Sequence, residues 1–330
     1  MTVPRPAAPA YPMPMATSIA PADTADTIVL DPRPGEQISL GAVPLRRHDD
    51  LAYGTVRTAE GGERELRLDI LRPATDEPLP LVVYLTGGGF MFSNKENALP
   101  LRSFVAESGF VVASVEYRTA RDEATYVDSV HDARTAIAFL RARAGDYGID
   151  PRAVGMWGQS AGGYLSAMTG VTNEVGRFAP SEPATRVDAV IDCFGVSYLP
   201  AIGADFDEQF QAYFREKPTY FSAYLGAPGR TLPEIPDEAR AADPASYASA
   251  AAPPFLLMHG SQDVLVSPSQ TQHLHQALLA VGADSTRYLL EGANHGDIAF
   301  LGMPESGLPW SSTTTMGVIT DFLHRHLDRT

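Results

Sequence analysis

Short apolar segments recur along most of the chain and alternate with segments of helical spacing. The nearly continuous apolar runs lie at 81–85, 110–115, 154–157, 189–194 and 255–258, with a weaker run at 287–290. Apolar residues three and four positions apart occur at 98–107, 127–143, 267–281 and 314–327. Strands buried on both faces and separated by helices are typical of a parallel sheet. The pattern predicts an α/β fold with a doubly wound, mostly parallel central sheet.

Two segments depart from this alternation. Leu66, Leu68 and Ile70 alternate with more polar residues after Gly61-Gly62, which predicts the second strand of a hairpin. The segment at about 197–250 is rich in aromatic residues and interrupted by prolines, and a structureless loop of that length is rare in a compact domain. We therefore expect a small, cap-like helical insertion, whose aromatic residues form its own core or wall a substrate pocket.

The N-terminal segment is different again, because 8 of its first 36 residues are proline. Proline fixes φ and removes a backbone donor, so this segment is predicted to be extended and irregular. It is either a flexible tail or an arm that lies across the body or helps a partner subunit to pack. We divide the chain into a Pro-rich arm, residues 1–45, and one α/β domain, residues 46–330.

Charge and cysteine content narrow the class of protein. The 330 residues carry a formal net charge of −15, which disfavours binding to nucleic acid and to anionic membrane surfaces. The one cysteine, Cys193, lies in an apolar run, so neither an intrachain disulfide nor a cysteine-rich zinc site is expected. We find no signal-peptide pattern and no apolar run of about 20 residues. These observations predict a soluble, cytoplasmic protein without a membrane span.

The clearest chemical motif is Gly158-Gln159-Ser160-Ala161-Gly162, between an apolar strand and a helical segment. A Gly-x-Ser-x-Gly sequence in that context is a nucleophile elbow, which exposes the serine oxygen at the end of a sheet. Ser160 is therefore the candidate nucleophile, and it needs a general base to take its proton.

The base and its orienting acid are predicted from their places after strands. His295 lies in a glycine-flanked loop after run 287–290, whereas His259 follows a strand directly and leads straight into Gly260. Asp263 follows the run 255–258, and the order Ser160, Asp263, His295 is that of α/β-hydrolase triads. Asp297 is a weaker candidate for the acid because it stands only two residues from His295.

A glycine run after the strand 81–85 is the candidate oxyanion hole. Thr86 is followed by Gly87, Gly88, Gly89 and Phe90, so backbone N–H groups are unshielded by side chains. We expect the N–H groups of Gly88, Gly89 and Ala161 to stabilise an oxyanion. Phe90 and Tyr164, which adjoin these donors in sequence, are candidate substrate contacts.

Together these motifs resemble the HGGG-type α/β-hydrolase esterases, which include hormone-sensitive-lipase-like and feruloyl-esterase-like carboxylesterases. The resemblance spans about residues 64–327 and includes Tyr117-Arg118 and the segment 147–151 before the elbow strand. Two departures occur: Thr86 stands where the family usually has histidine, and 117–123 reads YRTARDE rather than the lipase-like YRLAPE. The second departure favours the feruloyl-esterase-like branch.

The resemblance implies a serine hydrolase of small carboxylic esters that uses neither cofactor nor metal. An amidase, peptidase, formamidase or natural-product tailoring enzyme with the same triad is the alternative, and a non-catalytic ligand receptor is a third. We expect no nucleic-acid partner and no membrane span, and the sequence leaves a homo-oligomer open.

Overall fold

A computed structural model describes residues 15–31, 36–57, 61–178, 185–296 and 308–328. The strands found there are β1 Thr27–Leu30, β2 Leu45–Arg57, β3 Glu63–Pro73, β4 Leu79–Leu85, β5 Val111–Val115, β6 Ile149–Gln159, β7 Ala189–Cys193, β8 Phe255–Gly260 and β9 Ser285–Leu290. The helices are α1 Leu99–Glu107, α2 Tyr126–Ala142, α3 Ala144–Tyr147, α4 Ala161–Val171, α5 Glu208–Glu216, α6 Tyr220–Tyr224, α7 Pro236–Ala241, α8 Ser269–Ala280 and α9 Thr313–Leu327.

The strands form one sheet in the order β1-β9-β8-β7-β6-β4-β5-β3-β2. The pairs β2·β3 and β3·β5 are antiparallel, and every other neighbouring pair is parallel. The predicted α/β class and doubly wound sheet are therefore confirmed. The order reverses between β4 and β6, whose carboxyl ends lie side by side with Leu85 opposite Gly158. Ligands of such sheets bind at this switch point.

Two apolar layers cover the sheet, which explains why the strands read as continuous apolar runs. Along β4, Val83 and Leu85 pack into the layer that contains α2, α4 and α8. Val82 and Tyr84 pack into the opposite layer, with α1 and α9. Both faces of the strand are thus removed from water, and each contributes to the hydrophobic stabilisation of the domain.

The arm contributes a strand that the sequence pattern did not predict. Thr27–Leu30 pairs in parallel with Arg287–Leu290 at the edge of the sheet. The guanidinium of Arg287 donates to the Thr27 hydroxyl at 2.7 Å, and Gln272 Nε2 donates to the Ala25 carbonyl at 2.9 Å. These four residues have the β-branched composition of a strand, but the run is short and its partner lies 260 positions away, so the pairing could not be predicted from neighbouring residues. Residues 1–14 lie outside the described part of the chain.

The segment between β7 and β8 is helical, as expected, with α5, α6, α7 and short 3₁₀ turns. Phe206, Phe210 and Phe214 are buried against one another, with ring centroids 4.7 and 5.1 Å apart, and form the insertion's own core. Cys193 is a buried free thiol in β7. Over the described ranges, none of the helices combines the length and apolarity needed to cross a bilayer.

Candidate active site

Ser160 occupies a strained turn between β6 and α4. Its φ of 54° and ψ of −121° are unusual for a residue with a side chain, and its N–H donates to the Cys193 carbonyl at 2.9 Å. A Cβ atom at Gly162 would lie 1.9 Å from the Leu85 carbonyl oxygen, and one at Gly158 would lie 2.1 Å from the Gly162 oxygen. The glycines of the motif thus allow the backbones of β4, β6 and α4 to meet around the serine.

Ser160, His295 and Asp263 form one hydrogen-bonded series. The Ser160 hydroxyl lies 2.9 Å from His295 Nε2, and His295 Nδ1 lies 2.6 Å from Asp263 Oδ2. A carboxylate only accepts hydrogen bonds, so Nδ1 carries a proton and Nε2 is free to accept from the serine. The structure brings together the three residues predicted as a triad, while Asp297 lies outside the described residues.

Asp263 is fully buried and well supplied with donors. The backbone N–H groups of Leu265 and Val266 each donate to its Oδ1 at 2.9 Å. Burial alone would raise the pKa of Asp263, but the charge of His295 and hydrogen bonds from His259 and His295 hold that pKa well below its usual range. The carboxylate therefore stays ionised beside the imidazole.

His259 is a residue of this site that the sequence reasoning passed over. It lies in β8, is fully buried, and its Nε2 is 3.2 Å from the same Asp263 oxygen that His295 contacts. Its position four residues before Asp263, across a tight turn, was the available signal. The His295 loop has further support, because Phe194 packs edge-on against the His295 ring with centroids 4.7 Å apart.

The glycine loop after β4 lies directly against the elbow. A Cβ atom at Gly87 would lie 3.0 Å from both the Gln159 oxygen and the Ser160 Cβ. Gly89 has a φ of 58°, which favours glycine. Among the residues that the structure describes, none accepts a hydrogen bond from the N–H of Gly88, Gly89 or Ala161. These groups remain available to an oxyanion.

Thr86 occupies the position where the resembled family usually has histidine. Its side chain is buried, and its Oγ1 accepts a hydrogen bond from Asn97 Nδ2 at 3.3 Å. Its carbonyl accepts from the Tyr117 hydroxyl at 2.7 Å. The contacts with Asn97 and Tyr117 thus fix Thr86 at the start of the glycine loop. Thr86 does not point a donor of its own at the serine.

An apolar cavity of about 200 Å³ opens at Ser160. Its lining is Met15, Gly87, Gly88, Gly89, Phe90, Gln159, Ser160, Ala161, Phe194, Val196, Ile202, Phe221, Leu265, Val266 and His295. Phe221 shows that the aromatic residues of the insertion serve both as its core and as pocket wall.

Phe90 and Tyr164 differ in their relation to the cavity. Phe90 lines it and stacks on Tyr224 with ring centroids 4.6 Å apart. Tyr164 is fully buried behind Phe90, and its hydroxyl donates to the Ala242 carbonyl at 2.8 Å. Tyr164 therefore anchors the insertion and supports Phe90 rather than forming part of the wall. No group of three or more His, Cys, Asp or Glu side chains in the described residues is arranged to hold a metal ion.

A second buried carboxyl group, Asp192 in β7, lies under the first turn of α4. Its Oδ1 accepts from the Gly195 N–H at 2.8 Å, while its Oδ2 has no hydrogen-bond partner within the described ranges. A Cβ atom at Gly163 would lie only 2.2 Å from Oδ1. Burial raises the pKa of Asp192 to about 7, and the hydrogen bond from Gly195 only partly opposes it.

We expect Asp192→Asn to change how stability depends on pH. Between the ordinary pKa of an aspartate and about 7, the folded protein binds more protons at this residue than the unfolded chain does. The free energy of unfolding therefore falls as pH rises through that window, by about 4 kcal/mol in all. Urea unfolding at pH 5 and pH 8 should show a smaller difference in the variant than in the unaltered protein. Replacing the exposed Asp321 by Asn is the control, and equal slopes in all three proteins would contradict the prediction.

With this geometry established, comparison with known proteins decides the family. The BD-FAE family model matches residues 68–278. This chain belongs to the BD-FAE family. The family consists of α/β-hydrolase esterases. Among its relatives, the esterase LipQ of Mycobacterium tuberculosis is 31% identical over 76% of this chain and 58% of its own length. The chain thus spans less than two thirds of the length of the curated relatives it matches.

Solved structures share the fold of this BD-FAE member. A truncated carbohydrate esterase from gut microbiota superimposes with a TM-score of 0.67 at 21% identity, over 90% of this chain and 99% of that one. The esterase Est2 of Thermogutta terrifontis with propionate bound gives a TM-score of 0.63 at 22% identity, over 87% and 97% of the respective chains. At such identities the likeness establishes the α/β fold.

Proposed function

We propose that this protein hydrolyses carboxylic esters of small molecules through an acyl-enzyme formed on Ser160. The observation that carries the proposal is the hydrogen-bonded series from Ser160 through His295 to Asp263 at the mouth of an apolar cavity. A serine hydroxyl becomes an effective nucleophile when a positioned imidazole accepts its proton.

The reaction follows from the proton positions. Ser160 Oγ attacks the ester carbonyl while its proton moves to His295 Nε2, and the tetrahedral oxyanion accepts hydrogen bonds from Gly88, Gly89 and Ala161. The bond from carbon to the alcohol oxygen then breaks, and Nε2 returns its proton to the leaving alcohol. Water, deprotonated by His295, attacks the acyl-serine. The acid is released as Oγ recovers a proton, while Asp263 holds the imidazole and stabilises its charged form.

The relatives support this reading. LipQ is named an esterase, and the Thermogutta enzyme has been solved with propionate, with butyrate and phosphonylated by cyclosarin. The cavity here is apolar and about 200 Å³, a size that suits a short acyl chain. We therefore propose esters of short, uncharged acids as the first substrates to test.

The test uses the full chain with p-nitrophenyl esters from acetate to octanoate and with p-nitroacetanilide as the amide. Turnover of the esters with little or none of the anilide is expected. A fluorophosphonate probe should add one adduct per chain by intact mass, and peptide mapping should place it on Ser160. A preference for the anilide would favour the amidase alternative, and a protein that neither reacts with the probe nor turns over any ester would overturn the proposal.

A further inference from the structure

Part of the N-terminal arm borders the cavity at Ser160. Met15 lines the cavity together with Leu265 and Ile202, although the residue is also 69% exposed to solvent. The N–H of Ala16 donates to the Val264 carbonyl at 2.9 Å, next to Leu265 in the loop that follows Asp263. The arm is thus hydrogen-bonded to the loop that carries the acid of the triad.

The next residues of the arm are hydrogen-bonded to the insertion. The N–H and hydroxyl of Thr17 donate to Asp207 Oδ2 at 2.6 and 2.9 Å. Ile19 pairs with Phe206 in an isolated antiparallel bridge, and the N–H of Ala20 donates to the Asp205 carbonyl at 2.8 Å. Hydrogen bonds from the Thr17 and Phe210 N–H groups lower the pKa of Asp207 to about 2. Asp207 therefore stays ionised at all but strongly acidic pH, and its charged oxygen accepts from Thr17 throughout that range.

Three segments distant in sequence thus meet at one side of the cavity: arm residues 15–20, the loop after Asp263, and the insertion. Methionine is unbranched and adapts its shape, which suits a wall that borders a bound apolar group. We infer that the arm completes the substrate pocket, with residues 16–20 holding Met15 at its edge, and that Met15 sets the length of the substrate chain that fits. This inference rests on the proposed esterase function.

The experiment compares Met15→Ala, Met15→Trp and the control Ile28→Ala, which removes another exposed apolar side chain of the arm, in β1 away from the cavity. Two ester series are used: p-nitrophenyl acetate to octanoate, and methyl to hexyl butyrate. In at least one series, Met15→Ala should raise the ratio of kcat/KM for the longest over the shortest ester by about fivefold, and Met15→Trp should lower it. Ile28→Ala should leave the ratio unchanged.

The outcomes separate the two proposals. Turnover of the short esters by the unaltered protein tests the esterase function, while the chain-length ratio tests the arm. Ratios that agree in all four proteins would overturn the role of Met15 and leave the esterase function standing. An inactive unaltered protein would overturn both.

A different observation concerns His259, the second histidine on Asp263. Its Nε2 faces two groups that only accept, Asp263 Oδ2 at 3.2 Å and the Val266 carbonyl at 3.0 Å, so Nε2 carries the proton. Its Nδ1 lies 3.0 Å from the Thr271 hydroxyl and accepts from it. Arg287 Nε donates in turn to Thr271 Oγ1 at 3.1 Å. A buried series of hydrogen bonds therefore runs from Arg287 through Thr271 and His259 to the Val266 carbonyl, with Asp263 Oδ2 in contact with the same His259 nitrogen.

Burial favours the neutral form of His259. Burial lowers the pKa of His259, the charge and hydrogen bond of Asp263 oppose this, and Arg287 adds to the lowering. A neutral imidazole with its proton on Nε2 donates to the Val266 carbonyl at 3.0 Å and places the same N–H within 3.2 Å of the carboxylate oxygen. We propose that His259 is a positioning residue that holds Asp263 Oδ2 in line with His295 and shares its negative charge.

The test compares His259→Met, which removes the donor, with His259→Gln, whose amide can replace it. In His259→Met we expect kcat to fall about tenfold with little change in KM, because the polar N–H group beside the buried charge of Asp263 is lost. The acid limb of the kcat/KM–pH profile should move to higher pH, since the carboxylate then stabilises the His295 imidazolium more strongly. His259→Gln should restore most of kcat and the original limb.

A purely structural role would lower the unfolding temperature without moving the pH profile. A folded His259→Met protein with the unaltered profile and kcat would overturn the proposal. If that variant does not fold, Thr271→Val, which removes the hydroxyl that fixes the His259 tautomer, and His259→Gln decide the matter. Thr271→Val should lower kcat and shift the limb in the same direction, and an unchanged profile there would also overturn it.

Discussion

Ser160→Ala should reduce kcat for p-nitrophenyl acetate by about 10⁵–10⁶-fold, close to the background rate of hydrolysis. Only the hydroxyl that attacks the ester is lost. The strained turn should persist, because alanine meets the same backbone strain as serine and the residue 160 N–H still donates to the Cys193 carbonyl. Thermal unfolding followed by circular dichroism should therefore give a Tm within about 1 °C of the unaltered protein, a shift of less than about 1 kcal/mol.

Ser166→Ala is the matched control, because Ser166 lies in α4, which begins directly after Ser160, and its hydroxyl donates to the Gly162 carbonyl at 2.8 Å. It should keep ester turnover within about twofold. Retention of more than a percent or so of activity by Ser160→Ala would contradict the assignment of the nucleophile. A large fall in its Tm would show instead that the hydroxyl is structural.

Asp263→Asn should lower kcat by about 10⁴-fold through a change of tautomer. The Leu265 and Val266 N–H groups donate to Oδ1, so the amide oxygen of asparagine takes that position and its NH₂ group takes the position of Oδ2. The NH₂ group then donates to His295 Nδ1, which leaves the proton on Nε2, where it cannot accept from Ser160. The kcat from steady-state kinetics and the rate of fluorophosphonate labelling should therefore both fall.

Asp243→Asn is a suitable control for this change. Asp243 also pairs with a histidine, His273, at 2.7 Å, but this pair is not part of the series that reaches Ser160. Its removal should alter kcat by less than about twofold. Comparable losses in the two variants would indicate a general effect of lost carboxylates on stability and would contradict the proposed role of Asp263.

Much of the fold could be predicted because the signals are local. The run 81–85 is apolar at every position since both faces of β4 are covered, and Gly-x-Ser-x-Gly requires a turn that few other sequences permit. His295 and Asp263 were predicted because each follows a strand, and in a parallel sheet the carboxyl ends of the strands meet at one edge. The geometry at Ser160 agrees with that reasoning to within hydrogen-bond distance.

What was missed depends on partners far away in the chain. Thr17 contacts Asp207 across 190 positions, so nothing near Thr17 indicates that the arm is attached there. His259 was passed over because its sequence neighbour is Gly260, whereas its role is indicated by a tautomer that Val266 and Thr271 together select. Tyr164 stands near the nucleophile in sequence, but helix α4 turns its side chain toward Ala242.

The attachment of the arm also has a consequence for the order in which the molecule is completed. β1 pairs with β9, and the residues that hold the arm, among them Asp207 and Val264, are made long after it. On the ribosome, residues 15–30 emerge before the insertion and β9, and they must therefore wait unpaired until those later residues have been synthesised. Contacts between residues so far apart in the chain have the largest cost in loop-closure entropy. We therefore expect the contacts of the arm to form late in folding. Although residues 15–30 are synthesised before the rest of the sheet and the insertion, they are expected to join the native structure after them.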